Sequence, residues 1–167
     1  MEKVKLQYML SAREARAQTQ NILLNRYRQP LISFTLNIPG EIKTSPRLLK
    51  LFNQGLAAIT EKLTDHHVPI LKKIEHHAAT GDECLLVCQC DAHKLKLWLT
   101  ATEEEHPLGR LMDIDVLDTD GQKLSRPHPR QCFICGRPAA DCARNRRHNA
   151  AELTTAIKTL LDKHLQG

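Results

Sequence analysis

Between Ser45 and Leu63 apolar residues recur every three or four positions, at Leu48, Leu49, Phe52, Leu56, Ile59 and Leu63. That is the period of one helix face, and Pro46 behind Ser45 marks where the helix should open. Leu31 to Ile38 alternates instead and carries β-branched residues, which predicts a strand closed by Pro39-Gly40. An earlier helix is expected from Ser11, or just before it, to about Tyr27, ahead of Pro30. Its apolar positions are sparse, and Arg13 and Arg16 share a face at i, i+3.

Val68 to Ile74 and Cys84 to Cys90 read as two strands parted by a turn at Gly81-Asp82. Asp91 is placed to cap a third helix from Ala92 to about Glu105, whose Glu103-Glu104-Glu105 end reads as solvated. Leu111 to Leu117 predicts a further strand, and Asp120-Gly121 a hairpin returning through Lys123 to Ser125. Asn149 and Glu152 have the spacing of a capping box for a last amphipathic helix ending near Leu165. The order βαββαββ between flanking helices predicts an α+β fold with a mostly antiparallel or mixed sheet, not a doubly wound parallel one. A chain of 167 residues favours one domain over 1–167, with an Arg/Cys-rich subregion at 126–148 and a C-terminal helix at 149–165.

The strand after His106-Pro107-Leu108-Gly109-Arg110 changes this picture. Its Met112-Asp113-Ile114-Asp115-Val116 puts both carboxylates on one face and the apolar side chains on the other. Carboxylates so close repel unless a cation, a proton or an arginine lies between them. An oxygen-ligated Mg²⁺ is the usual cation, and it brings phosphates with it. The plainer alternative is two exposed acids on the solvent side of an edge strand. Gly109, which permits close backbone approach, and Arg110, which can pair with a phosphate, favour the metal. His106 suits a base, a phosphate contact or a helix C-cap. Asp118 falls on the opposite side of a regular strand.

The formal net charge is +5, and its location says more than its size. Residues 126–148 hold six arginines and one acid, while the rest of the chain balances. Arg126, Arg130, Arg144, Arg146 and Arg147 could grip a polyphosphate, with Arg13 and Arg16 reaching in from the first helix. Nucleic acid is a weaker fit, because aromatic residues make up only 4% of the chain and offer no platform for base stacking. No run is long and apolar enough for a membrane span, and Met1-Glu2-Lys3-Val4-Lys5 lacks the apolar core of an export signal. A cytoplasmic location is therefore expected, with the six cysteines as thiols or metal ligands. Cys132, Cys135, Cys142 and His148 have the residue types of a Cys₃His zinc site. Cys142 and His148 would not share a face if one regular helix carried both. Cys84, Cys88 and Cys90 read as core, and the histidines at 66–67 and 76–77 as surface.

Several of these segments form one pattern. They are Phe34-Thr35, Pro39-Gly40-Glu41-Ile42-Lys43, Phe52-Asn53-x-Gly55, His106-Pro107-Leu108-Gly109-Arg110-Leu111-x-Asp113-Ile114-Asp115-Val116, Ser125-Arg126 and Arg130-x-Cys132-x2-Cys135-x6-Cys142-Ala143-Arg144. From about Leu10 to Leu165 the chain resembles the apo-citrate lyase phosphoribosyl-dephospho-CoA transferases, also called citrate lyase holo-acyl-carrier-protein synthases. The resemblance implies a nucleotidyltransferase-like enzyme. Such an enzyme moves 2′-(5″-phosphoribosyl)-3′-dephospho-CoA from its triphosphate precursor to a serine of the citrate lyase γ subunit, an acyl carrier protein, and releases pyrophosphate. It implies Asp113 and Asp115 as the Mg²⁺ pair, with Gly109 and Arg110 as contacts to substrate phosphate. The residue types leave two rivals: a zinc-stabilised arginine module for nucleic acid, and a non-catalytic adaptor for a carrier protein.

Overall fold

In the computed structural model, which describes residues 1–165, the chain forms an α+β fold around one four-stranded antiparallel sheet. Helix α1 (Leu6–Tyr27) leads into β1 (Leu31–Leu36), α2 (Pro46–Asp65), β2 (Ile70–Ala78) and β3 (Gly81–Cys88). Helix α3 (Ala92–Glu105), a single 3₁₀ turn at Gly109–Leu111 and β4 (Met112–Leu117) follow. The short α4 (Ala139–Arg144) and α5 (Ala150–His164) complete the chain. The sheet order is β2-β3-β1-β4.

The caps of α2, α3 and α5 form where the residue types placed them, whereas α1 opens at Leu6 behind Lys5, without a side-chain cap, and Ser11 lies inside it. The Ser45 hydroxyl accepts the Leu48 amide, the Asp91 carboxylate accepts the Lys94 amide, and Asn149 and Glu152 form a reciprocal capping box. One sheet face, with Ile32, Phe34, Leu86, Ile114 and Val116, is covered by α2, α3 and α5. The opposite face is divided. Leu23 and Leu24 near the end of α1 cover Leu31, Leu85, Val87 and Leu117. The rest of α1 instead turns Arg13, Arg16 and Gln20 toward the sheet, which is why its apolar positions are sparse.

Several expected strand limits move: β1 ends at Leu36, β2 runs Ile70–Ala78, β3 runs Gly81–Cys88 and β4 begins at Met112. The β2–β3 turn is Ala79-Thr80, not Gly81-Asp82, because Ala78 pairs with Gly81 and β2 continues through Glu75, His76 and His77. β2 is an edge strand whose outward positions need no apolar residue, so periodicity could not mark its end. The return after Asp120-Gly121 is a single bridge, Leu117 to Lys123, with the Asp118 amide donating to the Gln122 carbonyl and the Leu124 amide to the Val116 carbonyl.

β4 is the other edge, and side chains close it. The Ile114 amide donates to the Glu103 carboxylate at 2.9 Å, and the Ile114 carbonyl accepts from Lys96 Nζ at 3.1 Å. The Met112 carbonyl accepts from Arg130. Glu103 is therefore not at a solvated helix end. It is 5% exposed, pairs with Arg130 at 2.9 Å and also with Arg126. Desolvating a carboxylate this far requires such partners.

Candidate active site

Register alone assembles the polar end of the divided sheet face. Across β4, β1 and β3, Asp113 lies opposite Thr35, and Thr35 opposite Glu83. One row further, Asp115 lies opposite Ser33, and Ser33 opposite Leu85. Paired residues of antiparallel strands project to the same side, so Asp113, Asp115 and Glu83 share one surface. Above it lies a cleft of about 560 Å³, walled by Arg13, Arg16 and Gln20 of α1 and closed laterally by Lys43 and Lys123. Asp113 and Asp115 also border a shallower depression toward Arg126 and Arg130.

α1 is fixed over this cleft by polar contacts. Arg16 Nε lies 2.9 Å from the Glu83 carboxylate, and Gln20 Nε2 donates to the Ser33 hydroxyl at 3.1 Å. Lys123 Nζ lies 2.8 Å from Asp115. Burial, and secondarily the charge of Asp115, raises the Asp113 carboxyl above the usual carboxylate range, although Arg130 and Lys123 oppose this. Burial pulls the Lys123 ammonium down, but its bond to Asp115 and the charge of Asp113 leave it raised. Burial lowers Lys43, helped by the nearby charge of Arg13. The site thus sets a crowded pair of carboxylates beside basic groups in a half-buried cleft. That arrangement suits a hard cation and phosphate oxygens, and an all-oxygen donor set suits Mg²⁺ in particular.

Not every residue singled out from the sequence lies here. Arg13, Arg16, Asp113 and Asp115 line the cleft. Arg110 does not. Its guanidinium sits 4.6 Å from the centre of the Phe133 ring and faces a separate, mostly apolar groove of about 670 Å³ beside α5. Burial, with Arg130 and Arg126 nearby, lowers its pKa. The two hollows have Asn37 in common. Gly109 makes a close approach, but to protein: a Cβ there would fall 1.7 Å from the Glu103 carbonyl oxygen. Arg126 and Arg130 are held by Glu103, and Arg144 pairs with Asp141 at 2.8 Å on the surface. His106 is the C-cap residue of α3, its Nδ1 accepting the Leu108 amide at 3.0 Å. Asp118 serves the turn, accepting the Thr119 amide. Cys84 and Cys88 are core, and burial pushes their thiols up to about 11 and about 12. Of the histidines, His66 stacks on Trp98 and His77 bonds the buried Asp82 at 2.7 Å.

Lys43, Glu83 and Lys123 were not singled out. Glu83 was hidden by the misplaced turn: with Gly81-Asp82 taken as the loop, its face was undefined. The two lysines come from irregular segments whose direction periodicity does not give.

A second cluster lies beside the apolar groove. One ligand atom from each of Cys132, Cys135, Cys142 and His148 lies within 4.8 Å of the others, a set that could hold a metal such as zinc. The expected mismatch between Cys142 and His148 does not arise, because no single helix spans them. α4 stops at Arg144, and Arg146 takes the left-handed conformation at φ 47°. The Arg147 amide then donates to the Cys142 carbonyl and the Arg146 amide to that of Ala143. This is a Schellman ending with arginine where glycine is usual, at a cost of about 1 kcal/mol. It turns the chain so that His148 Nε2 comes within 3.4 Å of Cys135 Sγ. The Arg137 amide and His148 bring the Cys135 thiol down to about 6. Burial and the neighbouring thiols push Cys142 up to about 11.

Comparison with known proteins shows the family. The family model described as apo-citrate lyase phosphoribosyl-dephospho-CoA transferase matches residues 4–164. The chain belongs to that family. A relative in Streptococcus pyogenes serotype M3, named a probable apo-citrate lyase phosphoribosyl-dephospho-CoA transferase, is 43% identical over 96% of this chain and 86% of its own. A family member from Citrobacter koseri is 36% identical over 95% of this chain and 88% of its own. Protein CitXG of Haemophilus influenzae is 36% identical over 97% of this chain, which matches only 36% of that longer protein. As a member of this transferase family the chain is an enzyme, and among the described residues no helix is long and apolar enough to cross a membrane.

Proposed function

We propose that the protein attaches the 2′-(5″-phosphoribosyl)-3′-dephospho-CoA group of a triphosphate precursor to a serine of the citrate lyase γ subunit, releasing pyrophosphate. Family membership supports the substrate class. The observation that carries the chemistry is the placing of Asp113 and Asp115 side by side under a cleft walled by Arg13, Arg16, Lys43 and Lys123. A nucleic-acid module would have use for the basic walls but not for the paired carboxylates, which repel phosphate.

Asp113 and Asp115 are the residues that would hold Mg²⁺. When bound, the ion would neutralise charge developing on the phosphate oxygens. Lys123, already paired with Asp115, keeps the cleft from carrying two uncompensated charges. Arg13 and Lys43 are positioned to meet the leaving pyrophosphate at the cleft mouth, where no step of acid–base chemistry is asked of them. The serine hydroxyl must lose a proton as it attacks phosphorus in line. Glu83 is the carboxylate of a third strand in the same row as Asp113, about 10 Å away by strand spacing. That separation leaves room for a phosphoryl group between them, and we assign Glu83 as the base, with Arg16 orienting it at 2.9 Å. Most of the acceleration then comes from positioning and fixed charge.

Mass spectrometry of the apo-carrier, incubated with precursor, Mg²⁺ and this protein, tests the assignment. The expected result is a mass gain equal to the prosthetic group with one pyrophosphate released per carrier. A carrier of unchanged mass would reject the reading.

A further inference from the structure

The Arg/Cys-rich segment has an unusual economy of burial. Among the described residues from 119 to 149, the buried side chains are Cys132 and Cys142, and no others. A segment of this length with one six-residue helix and isolated bridges has too little apolar contact to offset its conformational entropy. Small modules in this position are held by disulfides or metals. The six cysteines of the chain are free, so a disulfide does not fill the role here.

The local geometry has the form of a metal knuckle. Cys132 and Cys135 flank a tight turn that continues into Gly136 at φ 71°, a conformation that favours glycine. The Gly136 amide donates to the Cys132 carbonyl, and the Ile134 amide points at Cys132 Sγ from 3.5 Å. Backbone amides directed at sulfur are what a thiolate ligand requires. Cys135 Sγ lies 3.4 Å from Cys142 Sγ and 3.4 Å from His148 Nε2. Sulfurs bound to one tetrahedral ion with bonds near 2.3 Å stand roughly this far apart. Three thiolates with Zn²⁺ leave one negative charge, and the surrounding arginines at 137, 144, 146 and 147 supply the balancing field.

We propose that Cys132, Cys135, Cys142 and His148 bind one structural Zn²⁺, and that this ion fixes Arg130 on Glu103 and thereby the outer edge of β4. The link is short. The Ala139 amide donates to the Arg130 carbonyl and the Cys132 amide to that of Arg137, so the knuckle closes a small hairpin with Arg130 at its base. Arg130 then reaches Glu103 at 2.9 Å and the Met112 carbonyl, on the strand that carries Asp113 and Asp115. Phe133 within the knuckle packs over Arg110 and gives a second anchor. The ion takes no part in the reaction, and its site stands apart from the Mg²⁺ pair.

The proposal is tested on the full chain without any transfer assay. Elemental analysis of protein purified under reducing conditions should give one zinc per chain. Replacement with Co²⁺ should give the ligand-field and sulfur charge-transfer bands of a tetrahedral thiolate site. Cys135→Ser should weaken metal binding by at least about 100-fold, since losing even a group that only hydrogen-bonds a ligand costs about 10–100-fold. Cys90→Ser should leave it unchanged. Stripping the metal from the wild-type chain should speed hydrogen exchange across 130–149 and at the Ile114 amide, while the β2–β3 hairpin keeps its protection. Substoichiometric zinc, a cobalt spectrum without sulfur bands, or exchange unaffected by chelation would each overturn the proposal. Because the wild-type titration needs no variant to fold, a misfolded Cys135→Ser does not blur the outcome.

Discussion

Asp113 shows how a single residue can work against the stability of its fold. Burial raises its carboxyl, so the folded chain holds that proton more tightly than the unfolded chain does. Folding stability from this group is therefore lost as pH rises from the ordinary carboxylate value through the raised one. At pH 7 the ionised Asp113 is a cost, offset in part by Lys123 and Arg130. Asp113→Asn should melt at a higher temperature than the wild type at pH 7 without Mg²⁺, and the difference should vanish in acid. On the proposed function the same variant should lose transfer activity by about 100-fold or more, because it would remove a ligand of the ion that is to meet the developing charge. Melting curves at two pH values and the carrier mass assay measure both effects. A variant that is less stable at pH 7, or as active as wild type, would contradict the role given to this carboxylate. Gly109 illustrates the converse: it was singled out for approach to a ligand, yet the close approach is to the backbone of α3.

At the scale of elements, the outer edge of β4 decides how the site is held. An unpaired edge strand invites pairing with another chain. Here Lys96, Glu103 and Arg130 occupy its outward amide and carbonyl groups, two of them projecting from α3. Glu103 bears the most, since it receives the Ile114 amide and two guanidinium groups while only 5% exposed. Glu103→Gln leaves Arg126 and Arg130 facing a neutral amide in a buried place. We expect a loss of about 3 kcal/mol, near the lower end for a broken buried pair because both arginines keep some contact with water. Urea unfolding measures this, and a change under about 1 kcal/mol would show that the edge is held by other means. The helices α2, α3 and α5 were legible in the sequence because their caps and apolar periods are local signals. The turn between β2 and β3 was not. Gly81-Asp82 has turn chemistry, but Gly81 sits at φ 121° as the first residue of β3, and pairing with β2 moves the loop to Ala79-Thr80.

For the whole molecule, the distribution of charge matters more than its sum of +5. Basic groups of the candidate cleft come from α1, from the loop carrying Lys43 and from the return after β4. Most of the arginine excess of 126–148 lies on the knuckle, while Arg126 and Arg130 of the Glu103 network border the adjoining depression that Asp113 and Asp115 also line. On the proposed function, a triphosphate donor would be drawn to the cleft by a field that salt screens over about 10 Å at 0.1 M. We therefore expect kcat/KM for the donor to fall several-fold between about 0.05 and about 0.5 M salt, with kcat nearly constant. Steady-state kinetics at fixed Mg²⁺ tests this, and a flat kcat/KM would remove the electrostatic role of Arg13 and Lys43.

The sequence by itself determined the helices α2, α3 and α5, the α+β class, the shared face of Asp113 and Asp115, and the residue types of the Cys₃His cluster. Each is written in local spacing: periods of 3.6 and 2, capping residues, and pairs of ligands a few positions apart. The tertiary structure alone decided which charges meet. Strand register brought Glu83 into line with Asp113, the left-handed turn at Arg146 returned His148 to Cys135, and packing of α3 on β4 gave Arg126 and Arg130 to Glu103. These contacts join residues far apart in the chain through backbone directions that no local spacing records. The carboxylate pair was therefore visible from the start, while its neighbours emerged only on folding.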